Sequence, residues 1–175
     1  MNISVTKIAS NKTIEINQSL DIMHQASSDM VNKLNDIVWF IQPEHDTLEK
    51  LLERLTDYTN KMAAIKNIRV LINFPDELSK IVLPVAVRRN IYLLFKEAIN
   101  NVVKHSGAAN LEVQLIDSNN QLDFIISDDG HGYIETNVKK GNGLENMRKR
   151  AKDIGAQLNI ISMDQKGTRI SLKYN

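Results

Sequence analysis

The chain has 175 residues, 42% hydrophobic and 25% charged, with 7 glycines, 3 prolines and no cysteine; this fits a soluble protein with one core and excludes a disordered or disulfide-held chain. Lys and Arg number 22 against 21 Asp and Glu, a formal charge of +1, so no surface-wide field recruits nucleic acid or an acidic membrane, and no nucleic-acid partner is expected. Apolar runs such as IVLPVAV are far shorter than the roughly 18 residues of a membrane span, and MNISVTKIASNK has no hydrophobic signal region, so a cytoplasmic location is expected.

Residues 1–13 are polar and weakly patterned, and the stretch 10–13 offers capping side chains, so fraying is expected before a helix begins. From Ile16 the positions Ile16, Leu20, Met23, Met30, Leu34, Ile37 and Ile41, broken only by Ser27, alternate steps of four and three. That is the seam of a bundle or coiled-coil helix. Such a helix pairs with a second copy or with a part of the protein beyond this chain, unless it folds back on its own domain.

Pro43 ends the pattern and QPEHD reads as a hinge, so the chain divides into a helical region, 1–44, and a globular domain, 45–175. Asp46 with Glu49 predicts a capping box, and Leu48, Leu51, Leu52, Leu55, Tyr58, Met62 and Ile65 predict one apolar stripe of a second helix. Residues 68–74 alternate as a strand. Pro84 suits the first turn of a central helix running to His105, with Gly107 just past its end. Strands NLEVQLID and QLDFIIS follow, joined by a turn at 118–120; then a helix over 144–154 stopped by Gly155; then strands QLNIISM and TRISLKY around 164–167. This order predicts an α/β (α+β) fold, a two-layer sandwich of one mixed sheet covered on one face by helices.

Within the central helix Glu97, Asn101 and His105 recur every fourth residue and share one face, while Ile91, Leu94, Ala98, Ile99 and Val102 lie opposite. A buried polar row costs several kcal/mol unless partnered, so it demands a structural network or a bound polar ligand. Asn101 offers a neutral amide oxygen of the kind that suits Mg²⁺ already carrying phosphate oxygens and water, and Glu97 one turn away can act as general base or orienter. Both could instead cap nearby backbone.

Asp128 ends a strand and is followed by Asp129, Gly130, His131 and Gly132. Its carboxylate can accept the exocyclic amine of adenine but meets another acceptor in guanine, although SDDGHG also suits a plain turn. Gly141 and Gly143 allow a phosphate to approach the backbone, and the helix from Leu144 offers anion-attracting N–H groups. Lys104 and Arg148 are candidate phosphate contacts, with Lys139, Lys140 and Arg150 adding positive charge nearby. GNGLEN departs from the dinucleotide fingerprint at Asn146, and no GxxxxGK[ST] loop is present. Thr168, after Gly167, is either part of a hairpin turn or a hydroxyl facing the base pocket.

KEAINNVVKH, DDGHG, GNGLENMRKR and GTRISL, in this order and spacing, resemble the N, G1 and G2 boxes and closing strand of the ATPases that group gyrase, heat-shock chaperone, histidine kinase and MutL. Within that GHKL superfamily they are most similar to sensor histidine kinases of the nitrate-sensor and desaturase-sensor type. The resemblance covers about residues 47–174, and NDIVWFIQPEHDTLE resembles the end of a second dimerisation helix with its junction. It implies the Bergerat-type ATP-binding fold, with Asn101 as the Mg²⁺ ligand, Glu97 as the acid/base or orienting group and Asp128 as the adenine reader. Gly130, Gly132, Gly141 and Gly143 are implied as nucleotide-loop glycines, with Lys104 and His105 near the phosphates. Asp129 stands where that family frequently has Asn.

The resemblance also implies ATP and Mg²⁺ as cofactors, phosphoryl transfer to a histidine, a response-regulator receiver domain as partner, and a homodimer. The phosphoacceptor helix of such kinases has no counterpart here: His24 is followed by Gln25 and Ala26 and does not match the acceptor motif, His45 reads as a hinge residue and His131 as a variable turn position. The chain thus reads as a fragment, a second bundle helix plus a catalytic domain, whose acceptor histidine and any membrane attachment lie outside it. An anti-sigma-factor-type serine kinase and a non-catalytic nucleotide-binding dimerisation module are the alternatives.

Overall fold

The computed structural model describes residues 2–42, 47–75, 81–118, 121–133 and 142–175, without the side chains of 2–18, 29 and 32. The chain divides into two compact units, Met1–Gln42 and Pro43–Asn175.

The first unit is a single helix, α1 (Asn2–Ile41). It runs straight through the polar stretch 10–13 where fraying is expected from sequence. Helix growth adds one hydrogen bond per residue once a turn exists, so polar residues of moderate propensity extend a nucleated helix rather than stop it. The side chains of Leu20, Met23, Met30, Leu34, Ile37 and Ile41 on its seam are exposed. The hinge residues Pro43 to Asp46, His45 among them, lie outside the described residues.

The second unit begins with α2 (Leu48–Ala64). Its cap is Thr47, whose hydroxyl accepts from the Lys50 N–H at 3.3 Å, in place of the capping box expected on Asp46. The buried stripe runs Leu48, Leu51, Leu52, Leu55, Thr59 and Ala63, and Ile65 is exposed. At about 100° per residue the stripe through Tyr58, Met62 and Ile65 drifts off the core side, and the smaller Thr59 and Ala63 replace it. Thr59 is buried at no polar cost, because its hydroxyl donates to the Leu55 carbonyl at 2.6 Å.

After β1 (Arg69–Asn73) comes α3 (Val85–Asn101), opened by Pro84. The helix continues as a π-helical turn, Val102–Ser106, and is stopped by Gly107 at φ +65°. The π turn has no signature in the every-fourth-residue pattern of this helix. Then follow β2 (Asn110–Ser118), β3 (Gln121–Asp128), α4 (Gly143–Asp153), β4 (Gln157–Ser162) and β5 (Thr168–Tyr174). Of the 118–120 turn, residues 119 and 120 lie outside the described residues.

The five strands form one sheet in the order β1-β2-β3-β5-β4, with β1 parallel to β2 and every other pairing antiparallel. This is the mixed sheet expected from sequence. Helix α3 packs against α2, α4 and β3. Strand pairing lines up Ile72, Val113, Ile126, Ile170 and Ile160 in one cross-strand row, with Leu115, Phe124, Leu172 and Leu158 in the next. These rows meet the apolar face of α3, where Phe95 and Phe124 make an edge-to-face contact at 5.7 Å. On the other face Arg69, Leu71, Asn73 and Ile116 are exposed.

The row at the C-terminal end of β3 runs Val70, Leu111, Asp128, Thr168 and Ser162. Period-2 alternation puts it on the same face as the apolar rows, so three polar side chains end a hydrophobic layer. That is where the candidate site lies.

Phe124 is 1% exposed, and truncating a fully buried aromatic costs about 3–5 kcal/mol. Phe124→Ala is therefore expected to lower unfolding stability by about that amount, as read by urea denaturation. A loss under about 1 kcal/mol would show that this contact does not join the two layers.

Candidate functional site

A cleft of about 630 Å³ opens at the polar end of the sheet, between α3 and the first turn of α4. Its walls bring together Glu97, Asn101 and His105 from α3 and its π turn, Asp128 from β3, Gly132 and Tyr133 after it, Gly143 and Leu144 from α4, and Thr168 from β5. Ala98, Val102, Ile126 and Ile170 add an apolar surface. A shallow apolar slot with a few convergent polar groups is the usual form of a small-molecule site.

Asp128 is 9% exposed. One carboxylate oxygen accepts from the Gly130 N–H at 2.9 Å, and the Thr168 N–H also donates to the carboxylate. Burial is the dominant influence and pushes its pKa above the ordinary value; the Gly130 and Thr168 N–H groups oppose this, and Asp129 adds to it. The Ser106 hydroxyl lies beside this carboxylate. It donates to the Val102 carbonyl at 2.9 Å and accepts from the Ala108 N–H at 3.0 Å. A hydroxyl carries one proton, so Asp128 competes with Val102 for it.

Asp129 does a different job. Its oxygens accept from the N–H groups of Ala109 and Asn110 at 2.9 and 2.8 Å and from the Asn110 amide at 2.6 Å. The Asn110 contacts hold its pKa below the usual carboxylate value. A carboxylate here staples the turn to the start of β2, which accounts for Asp at a position where the resembling family frequently has Asn.

The glycines are dictated by close approach. A Cβ on Gly167, at φ +77°, would strike the Asp128 carbonyl, and one on Gly130 would strike the Ser106 carbonyl. Gly130 thus packs the turn rather than lining the cleft. On Gly143 a Cβ would collide with a Glu97 carboxylate oxygen, so Glu97 lies directly against the first turn of α4. Asn142 at the α4 N-cap makes no side-chain cap hydrogen bond, which leaves first-turn N–H groups available to an anion.

Two other sequence candidates fall elsewhere. Lys104 lines a separate depression of about 340 Å³ with Lys66, His105, Gly107 and His131. A π turn closes with i→i+5 bonds, and the extra residue rotates Lys104 away from the row through Glu97 and Asn101. Arg148 is exposed on α4, outside the cleft lining. Gly141, like Lys139 and Lys140, lies outside the described residues. Sequence reasoning passed over Ser106 and Ser162; for Ser162 the signal was there, since Leu158, Ile160 and Ser162 share one strand face and a polar residue stands on the core side.

Residues 86–175 match the family described as histidine kinase-, DNA gyrase B- and HSP90-like ATPase. The chain is 33% identical over 98 residues to the sensor protein VraS of Staphylococcus aureus strain COL, covering 55% of this chain and 28% of that protein. It is 26% identical over 159 residues to the sensor protein VraS of Staphylococcus epidermidis strain RP62A, covering 90% and 44%. The chain therefore spans less than half of these curated relatives. Its fold is similar to the histidine kinase domain of the blue-light activated histidine kinase of Erythrobacter litoralis EL346, with TM-score 0.59 and 24% identity over 74% of this chain and 63% of that one. It is similar also to the catalytic domain of the histidine kinase ThkA, with TM-score 0.60 and 15% identity over 73% and 92%.

The raised pKa of Asp128 has a definite sign for stability. Its favourable contribution is present below the unfolded value of about 3.9 and is lost as pH rises through the higher folded value, so at neutral pH the buried charge opposes folding. Asp128→Asn is expected to equal or exceed the parent in stability at pH 7, with the gap shrinking as the pH falls toward about 4. Urea unfolding at both pH values checks this; a variant clearly weaker at pH 7 would show that the accepted hydrogen bonds outweigh desolvation.

Proposed function

The chain belongs to the histidine kinase-, DNA gyrase B- and HSP90-like ATPase family, and on that premise we propose that Pro43–Asn175 is the ATP-binding catalytic domain of a two-component sensor histidine kinase. It transfers the terminal phosphoryl group of Mg·ATP to a histidine on a helix outside this chain. The observation that carries the reading is the convergence of Asp128, Asn101, Glu97 and the α4 N-terminus on one cleft.

Each residue has a task that its surroundings support. Asp128, held as an acceptor by its fixed place at the strand end, takes the exocyclic amine of adenine. The first turn of α4 and Gly143 receive the phosphates, with Leu144 closing the edge and His105 beside them; Gly141 is assigned to the same loop by its motif. Gly130 and Gly132 shape the turn that carries Asp128. Lys104 and Arg148 supply positive potential at the rim rather than contacts within the cleft. Thr168 faces the base.

Among the described residues no group of three or more His, Cys, Asp or Glu could hold a metal by itself. The amide of Asn101 on the α3 wall is a lone neutral donor, which suits an ion that arrives with its nucleotide. Bound magnesium supplies charge neutralisation on the phosphate oxygens, with Asn101 as its protein ligand. Glu97 orients the acceptor imidazole and takes its N–H proton as the N–P bond forms and the bond to the leaving ADP oxygen breaks. The chain otherwise acts by positioning.

The exposed seam of α1 suits the second helix of a dimerisation bundle, which makes the parent a homodimer, and a response-regulator receiver domain is the next phosphoryl acceptor. Among the described residues no helix is long and apolar enough to cross a membrane; the domain works on the cytoplasmic side, with any membrane anchor elsewhere in the parent protein.

Calorimetric titration with ATP and GTP, with and without magnesium, tests the reading: magnesium-dependent binding of ATP in preference to GTP is expected, and no binding of either would overturn it. Asn101→Ala should remove the magnesium-dependent part of the ATP affinity with an unchanged circular dichroism spectrum. Glu97→Gln should keep ATP binding while slowing phosphorylation of a supplied acceptor-helix dimer about 10²–10⁴-fold; an unchanged rate would remove Glu97 from the chemistry.

A further inference from the structure

The depression that takes Lys104 shares His105 with the cleft, but its chemistry is the reverse of the cleft's. Its volume is about 340 Å³, and its charged and imidazole side chains come from three places in the chain. Lys66 stands just past the end of α2, Lys104 and His105 belong to the π turn, and His131 to the turn after β3. Ile68, Val102 and Val103 give it a buried apolar floor.

Whereas Glu97 and Asp128 line the cleft, no Asp or Glu stands among the described residues that line the depression. None of its four charged or imidazole side chains has a hydrogen-bond or ion-pair partner among the described residues. Elsewhere Lys50 pairs with Glu53 at 2.7 Å and Lys173 with Asp123 at 3.8 Å. Asp129, two residues before His131, is already taken up by Ala109 and Asn110. Lysines at the ends of α2 and the π turn answer the partial negative charge of those ends, but each end carries only about half an elementary charge, so two ammonium groups leave an excess of about one. Like charges gathered over an apolar floor repel, and an anion between them turns that repulsion into attraction.

His131 is held in place at this wall. Its backbone N–H donates to the Ser106 carbonyl at 2.8 Å and its carbonyl accepts from the Gln165 N–H. The ring lies against Gly107, where a Cβ would come within 2.7 Å of Nε2. Gly107, at φ +65°, therefore ends the helix and leaves room for the ring. The imidazoles add N–H donors to the three of each ammonium.

We propose that this depression is a second anion site, separate from the cleft, which takes a phosphate-type dianion between Lys66 and Lys104. Two ammonium groups match the charge of about −1.5 to −2 on a phosphate monoester near neutral pH, and contacts between ammonium and phosphate are charge-assisted. The ligand is free phosphate or a phosphoryl group carried on a side chain, since both present the same oxygens. The inference stands on charge and position and does not depend on what fills the cleft.

The test follows backbone amide shifts of the 175-residue chain by NMR during titration with inorganic phosphate, O-phosphoserine and acetate at constant ionic strength. Phosphate should produce saturable shifts at Gly107, Ala108 and His131, with a dissociation constant of about 1–10 mM, the scale for a small anion held by a few exposed charges. Acetate, with about half the charge, should bind at these amides at least about threefold more weakly. Lys66→Gln and Lys104→Gln, both at exposed positions, should each weaken phosphate binding there about threefold with an unchanged circular dichroism spectrum. Asn101→Ala, on the cleft wall, should leave it unaltered. O-phosphoserine binding more tightly than phosphate supports the site with a carried phosphoryl group as its ligand, and the opposite order supports it with the free ion. No saturable shift at the three amides, equal binding of acetate and phosphate, or a loss in Asn101→Ala as large as that in Lys66→Gln would overturn the proposal. The last of these would move the anion into the cleft.

Discussion

The arrangement around Asp128 is the constraint on which the rest of the domain turns. A carboxylate left 9% exposed at the end of a core strand is costly, and only donors aimed at it keep it there. Two are backbone N–H groups, of Gly130 and Thr168. To supply them the chain must turn back on itself immediately after β3 and bring β5 alongside, and the backbone approaches so closely that Gly130 and Gly167 have no space for a side chain. The motif glycines and the antiparallel pairing of β3 with β5 are thus two parts of one requirement. The residue proposed to read the base is held in a position that costs stability, as functional residues commonly are.

The π-helical end of α3 answers the same need from the other layer. An ordinary α-helix would close on i→i+4 bonds, but the extra residue between Val102 and Ser106 changes which side chains face the cleft. Ser106 comes beside Asp128, and its carbonyl accepts the His131 N–H at 2.8 Å, tying the turn after β3 to the helix. Lys104 is displaced to the neighbouring depression. Such single wide turns are frequent at functional sites because they reposition a few side chains without breaking the helix that carries them.

Polarity within the site is graded by layer. The α3 wall carries a carboxylate, an amide and an imidazole, on Glu97, Asn101 and His105; the strand row carries the carboxylate of Asp128 and the hydroxyl of Thr168. Between the two, Ala98, Val102, Ile126 and Ile170 give an apolar surface on which a base ring can rest. A nucleotide is amphipathic in the same sense, with a flat apolar face at one end and charge at the other. The sandwich presents those two chemistries from its two layers.

The sequence by itself determined the elements and most of the cleft. Strand alternation, Pro84, Gly107 and the every-fourth-residue row set the helices, the mixed sheet and the gathering of Glu97, Asn101 and His105, because period and punctuation are local properties. Burial near the boundary of α2, where Thr59 and Ala63 replace Met62 and Ile65, depended on the helix's rotation against α3, which no local pattern encodes. Only the tertiary structure decided that Lys104 lines a separate depression, that Asp129 serves as a staple and that Ser162 lies beside Thr168. Each of these depends on hydrogen-bond register between segments distant in the chain, and a register is a relation between elements, chosen only when they pack.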